Sequence, residues 1–162
     1  MFVSALASGL VSLVLLSAPV APAAPAAAAQ DKPASSARTV ELTGGDDMKY
    51  SVTSIPAKPG ETLRIRLTSK GTLPKIAMAH NVVVLKAGAK QIDFANAAAM
   101  AAATGYIPAD MKDQVLAATT MAGPGETVEV TFKVPTAPGT YPYMCTFPGH
   151  FAAGMRGTIV VK

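Results

Sequence analysis

The chain has no tryptophan, one cysteine and two histidines among 162 residues. A single cysteine cannot form an intramolecular disulfide, so Cys145 is an intermolecular bridge, a free thiol or a ligand. Two histidines, His80 and His150, exclude any site that needs several imidazoles beyond one small centre. The formal net charge is +4, but no run of lysine or arginine occurs. Nucleic-acid binding needs a basic stripe, and none is visible. A mixed surface with a small positive excess is the plainer reading, and it favours an acidic partner.

Charge is also missing from the whole of residues 1–29. Phe2 to Val20 is an apolar run with small residues mixed in, and Ala and Pro dominate from Ala21 to Ala29. An apolar stretch followed by an Ala-x-Ala site reads as a secretory signal, cut after Ala27, Ala28 or Ala29. Its first residues carry no Lys or Arg, and Met1–Val20 is nearly long enough to span a bilayer, so an uncleaved segment would act as an anchor. The expectation is therefore a signal peptide over residues 1–29 and a periplasmic or otherwise exported protein. Residues 30–38 read as a polar, Ala/Ser-rich flexible lead-in, and residues 39–162 as one domain.

Within that domain, short alternating runs are separated by Gly/Pro turns. Thr39–Thr43, Met48–Ile55, Thr62–Thr68, Asn81–Leu85, Glu126–Val134, Thr140–Cys145 and Arg156–Lys162 read as strands. In Thr62–Thr68 the alternation is strict and puts Leu63, Ile65 and Leu67 on one face. Asn81–Leu85 is a continuous apolar run, as in a strand covered on both sides. Such a series argues for an all-β sandwich. Ile92 to Ala118 breaks the pattern with Ala and Met. Phe94–Ala103 and Asp110–Ala118 read as short helices, the second N-capped by Asp110. Met100, Met111 and Met121 are expected to be packing residues.

The chemistry gathers in one short stretch, Cys145-Thr146-Phe147-Pro148-Gly149-His150-Phe151-Ala152-Ala153-Gly154-Met155. Cys145 ends one expected strand and Arg156 begins the next, so Cys145, His150 and Met155 share a hairpin-like loop. His80, in Met78-Ala79-His80-Asn81, must arrive from a different strand. Taken singly, a lone Cys or His is more often a core or surface residue than a ligand. Together, one thiolate, two imidazoles and a weak thioether make the donor set of a blue-copper electron-transfer site. No cysteine or histidine is left for anything larger.

Met78-Ala79-His80-Asn81 together with Cys145-Thr146-Phe147-Pro148-Gly149-His150 resembles the cupredoxin family, in its azurin-like and auracyanin-like branch. The resemblance runs over roughly Thr39 to Lys162, and the helical insertion resembles the azurin flap. It implies an eight-stranded Greek-key β-sandwich that holds one copper ion, cycling between Cu(I) and Cu(II). It makes His80, Cys145 and His150 the equatorial ligands and Met155 the axial one, with the Ala79 carbonyl a weak backbone contact. It gives Asn81 the role of tying the His80 strand to the Cys145 loop. It aims the backbone N–H groups of Asn81 and Phe147 at the Cys145 sulfur. Three departures stand out. The His150–Met155 interval is longer than in azurins and closer to plastocyanin and auracyanin. The azurin disulfide has no counterpart here, and Ala79 replaces a glycine.

The function implied is one-electron transport by a monomer, between redox proteins such as cytochromes or copper enzymes. Met78, Pro148, Phe151 and Ala153, with Phe147, are the expected apolar docking patch beside His150, and His80 is expected to be the more buried imidazole. A copper enzyme would need a second centre built from histidines that the chain lacks. A copper-delivery protein would favour an open, exchangeable site. A Cys–His hydrolase would need a free histidine base beside Cys145 and a third group to orient it.

Overall fold

The computed structural model describes residues 36–162; the expected signal peptide and most of the lead-in lie outside the described residues. Eight strands form, at Arg38–Gly44 (β1), Ser54–Ala57 (β2), Thr62–Ser69 (β3), Val83–Leu85 (β4), Val115–Ala118 (β5), Thr127–Lys133 (β6), Gly139–Met144 (β7) and Arg156–Val161 (β8). One sheet has the order β1-β3-β6 and the other β2-β8-β7-β4-β5. β1 runs parallel to β3 and β2 parallel to β8, while the other neighbours are antiparallel.

The alternation in β3 does what the sequence predicts. Leu63, Ile65 and Leu67 are fully buried between the sheets, with Leu42 from β1 and Ile159 and Val161 from β8 in the same cluster. Burying each such side chain stabilises the fold by about 1.5–3 kcal/mol. The outward face of β3 carries charge instead. Arg66 reaches Glu41 at 3.0 Å and Glu129 at 3.4 Å across the strands. β4 has both faces covered, and its three residues are all buried.

The second face of β4 is sealed by one α-helix, Gln91–Ala99 (α1). Phe94 and Ala98 of α1 pack with Val83, Leu85 and Met144 in a separate buried cluster. The insertion departs from expectation in three ways. The first helix starts earlier and stops at Ala99, followed by a short 3-10 turn at Ala102–Thr104. The second is a 3-10 segment, Ala109–Gln114, capped at Pro108 rather than Asp110, and Val115–Ala118 is the edge strand β5. Pairing with β4 supplies hydrogen bonds that local helix propensity does not outweigh. Met111 packs against the second cluster as expected, but Met100, at the C-cap of α1, is 88% exposed. The strand expected over Met48–Ile55 also shifts, forming only at Ser54–Ala57; upstream, Tyr50 makes an isolated bridge to Gly44.

Candidate metal centre

Strand register brings the expected ligands together. β4 pairs with β7 as Val83↔Met144 and Val84↔Tyr143. Continued past its last pair, that register sets Asn81 opposite Thr146, with His80 and Cys145 beside them at one end of the sandwich. His80 is pinned there by a two-way bridge. Its N–H donates to the Ala122 carbonyl at 2.9 Å, and its carbonyl accepts from the Ala122 N–H at 2.7 Å. β7 and β8 extend the other side, where the Cys145 N–H donates to the Met155 carbonyl at 3.0 Å. The loop between them turns back on itself. The His150 N–H donates to the Phe147 carbonyl at 3.1 Å and the Met155 N–H to the His150 carbonyl at 2.9 Å.

The result is a closed cluster. The ligand atoms of His80, Cys145 and His150 all lie within 4.8 Å of one another. The two Nδ1 atoms are 3.2 Å apart, and Cys145 Sγ is 3.4 Å from His150 Nδ1. A divalent first-row ion such as zinc sits about 2.0 Å from imidazole nitrogen and about 2.3 Å from thiolate sulfur. In a trigonal plane, bonds of that length hold the donors about 3.5 Å apart, so the cluster has the size of a metal site. His80 and Cys145 are 0% exposed and His150 is 2% exposed. Met155 is also wholly buried, and its methyl group lies against Gly44 beside the His80 ring. The Ala79 carbonyl oxygen is 3.9 Å from Cys145 Sγ.

Electrostatics suit neutral imidazoles and a thiol waiting for a metal. Burial, reinforced by His80, pushes His150 down to about 4. Burial also lowers His80, against the opposing pull of Asp46 and Asp47. Burial raises the Cys145 thiol to about 11, while backbone N–H groups of Asn81 and Phe147 work the other way by stabilising the thiolate. Metal binding must displace that thiol proton, and a cation supplies the missing charge.

To Asn81 and Phe147, singled out from the sequence, the surrounding shell adds Thr146, Tyr50, Thr119 and Tyr106. Asn81 holds Thr146 through its side chain. The Tyr50 hydroxyl donates to the Asn81 carbonyl, and Thr119 Oγ1 accepts from the Val82 N–H at 3.0 Å. The Phe147 ring packs at a tilt against His150, with centroids 4.8 Å apart, and against Tyr106 at 5.3 Å, which adopts a left-handed backbone with φ 62°. That ring is why His150 is nearly as buried as His80, a smaller difference than expected. Of the expected docking residues, Pro148 is exposed, while Met78, Phe151 and Ala153 are half-buried. Phe151 packs with the α1 cluster and lies under the Arg156 guanidinium, 5.0 Å from ring centre to Cζ. The Ala153 carbonyl accepts from Lys49 Nζ.

A two-sheet sandwich with one thiol, two imidazoles and a thioether gathered at one end defines a copper-binding β-sandwich. The family model described as copper binding proteins of the plastocyanin/azurin family matches residues 37–162. Auracyanin-A of Chloroflexus aurantiacus is 37% identical over 127 residues, 76% of this chain and 74% of that protein. Azurin iso-2 of Methylomonas is 39% identical over 125 residues, 75% of this chain and 95% of that protein. The crystal structure of dithionite-reduced auracyanin from the photosynthetic bacterium Roseiflexus castenholzii superposes with a TM-score of 0.69 at 32% identity, covering 78% of this chain and 98% of that one. The chain belongs to the plastocyanin/azurin family of copper-binding proteins, and its cofactor is one copper ion.

Proposed function

We propose that the protein is an exported one-electron carrier, with His80, Cys145 and His150 as equatorial copper ligands and Met155 as the weak axial ligand. The observation that carries this reading is the closed, buried cluster of three strong donors. Copper held there supplies a Cu(I)/Cu(II) couple. The protein supplies a rigid cage, in which backbone bridges at His80 and Cys145 fix both strands, so little rearranges when the charge changes. A site saturated by protein donors leaves no coordination position for a substrate. Electrons then pass through the ligands to a docked partner, and no bond is made or broken. The Ala79 carbonyl is a distant contact, and Asn81 and the Phe147 N–H hold the thiolate side in place.

The partners in this reading are redox proteins, cytochromes or copper enzymes, met at the surface around Phe147 and Pro148. The uncharged residues 1–29 are the export signal, or the anchor if retained, and residues 39–162 are the working domain. The deciding experiment is a visible and paramagnetic-resonance spectrum of the copper-loaded domain, followed by titration with reductant and oxidant. An intense thiolate-to-copper band with reversible one-electron bleaching is expected. A weak band, or rapid loss of copper to a mild chelator, would favour copper delivery instead.

A further inference from the structure

Gly44 closes β1 and is buried, although neither its backbone conformation nor a turn requires glycine. What the missing side chain leaves room for is Met155. A β-carbon at position 44 would lie 2.5 Å from Met155 Cε and 3.4 Å from Cγ and Cδ2 of the His80 ring. The first distance is far inside the 3.5–4.0 Å at which carbon atoms rest against each other. The Gly44 backbone has little freedom to yield. It is paired with Ser69 in the parallel register, bridged to Tyr50, and its carbonyl accepts from the Lys70 N–H at 2.7 Å. The terminal methyl of methionine, by contrast, is the end of a side chain with three rotatable bonds.

We propose that Gly44 is a positioning residue for the axial ligand. The bare α-carbon forms the wall of the Met155 pocket, and the depth of that wall sets how closely the thioether sulfur approaches copper. The inference rests on Met155 being the axial ligand, as proposed above. It assigns to β1, which contributes no ligand, control of the weakest bond at the metal. A weak bond is the one most readily tuned by packing, because little energy opposes its lengthening. The His150–Met155 loop fixes where the methionine backbone stands; Gly44 fixes where its tip can go.

A double-mutant cycle tests this in the copper-loaded protein. Gly44→Ala displaces the methionine tip, weakens the axial donor and is expected to raise the reduction potential, in the direction expected for Met155→Leu. In the Met155→Leu background the shorter side chain leaves the alanine its room, so adding Gly44→Ala should leave the potential unchanged. An equal shift in both backgrounds, or none in the wild-type background, overturns the inference. Met155→Leu alone checks the underlying ligand assignment: an unchanged potential there sinks both, whereas a raised potential with an inert Gly44→Ala sinks only the role of Gly44. Far-UV circular dichroism and the thermal midpoint of the copper-free forms report folding independently of the metal. If Gly44→Ala alone does not fold, the comparison becomes Gly44→Ala/Met155→Leu against Met155→Leu. Equal potentials support action through the methionine tip, and unequal potentials overturn it.

Discussion

Asn81 and Thr146 are joined by three hydrogen bonds: the Thr146 N–H donates to Asn81 Oδ1 and Asn81 Nδ2 donates to Thr146 Oγ1, both at 2.9 Å and in opposite directions, and the Thr146 hydroxyl lies 3.3 Å from Asn81 Oδ1. Both residues are buried. Each stands next to a ligand, Asn81 after His80 and Thr146 after Cys145, so the pair ties together the two strands that deliver the metal donors. Asn81→Ala would leave a backbone N–H and a hydroxyl buried without that partner. The expected cost is about 2–3 kcal/mol. Chemical denaturation of the copper-free protein measures it, with the slope against denaturant expected to hold steady. A loss under about 0.5 kcal/mol, less than one net hydrogen bond is worth, would mean that the backbone ladders hold the seam unaided.

Cys145→Ser is expected to abolish the blue band while the sandwich stays folded. Only a thiolate gives strong charge transfer to Cu(II), and the core around position 145 is built mainly from other residues, Tyr143, Val82 and Ile159 among them. The copper-loaded variant's visible spectrum, read beside its far-UV circular dichroism, decides the matter. Retention of an intense band would remove Cys145 from the ligand set.

The centre was legible in the sequence because scarcity did the work. With one cysteine and two histidines, the only way to use all three was to bring His80 to the Cys145 loop, and β4–β7 pairing does so. The strands with strict alternation, β3 above all, were equally plain. What remained hidden depends on distant partners. Val115–Ala118 carries little strand signal and becomes β5 only because β4 offers it an edge. Gly44 looks like half of an ordinary Gly-Gly turn until folding sets Met155 against it. Phe147 lies against His150 and is itself backed by Tyr106 from the insertion, a contact that no spacing along the chain announces.

Met155→Leu is expected to raise the reduction potential and keep the copper. The thioether stabilises Cu(II) more than Cu(I), and the three strong donors survive its loss. Leucine fills most of the buried space, so the fold should lose no more than about 1.5 kcal/mol. Protein-film voltammetry of both forms gives the answer. An equal potential would place Met155 outside the coordination sphere.

Copper-free protein is expected to lose stability as pH falls from about 6.5 to about 4. His150 sits at about 4 in the folded state against an ordinary value of 6.5. Between those values the unfolded chain binds a proton that the folded chain refuses, so acid favours unfolding. The contribution is fully present above 6.5 and is lost as pH drops through 4. His80 is lowered too and acts in the same sense. Thermal midpoints across this window, compared with copper-free His150→Gln, isolate the effect. The variant's slope should be shallower, and parallel slopes would move the acid sensitivity from His150 to other groups, His80 first among them.

The final prediction concerns the face through which electrons leave. A charge on a docking surface slows the meeting of two identical molecules without touching the metal. Ala153 is a poor place for that charge, because it is half-buried and Lys49 already donates to its carbonyl; an acid there would meet the ammonium and be neutralised. Pro148 is exposed and lies between Gly149 and Phe147, whose ring packs on His150. Pro148→Asp should therefore leave the spectrum and potential nearly intact. Electron self-exchange between oxidised and reduced copies should fall, because two like charges face each other in the encounter, and added salt should restore part of the rate. NMR line broadening at matched ionic strength measures the exchange. A variant as fast as wild type at low salt would move the docking surface away from Pro148, towards the half-buried Met78 side of the site.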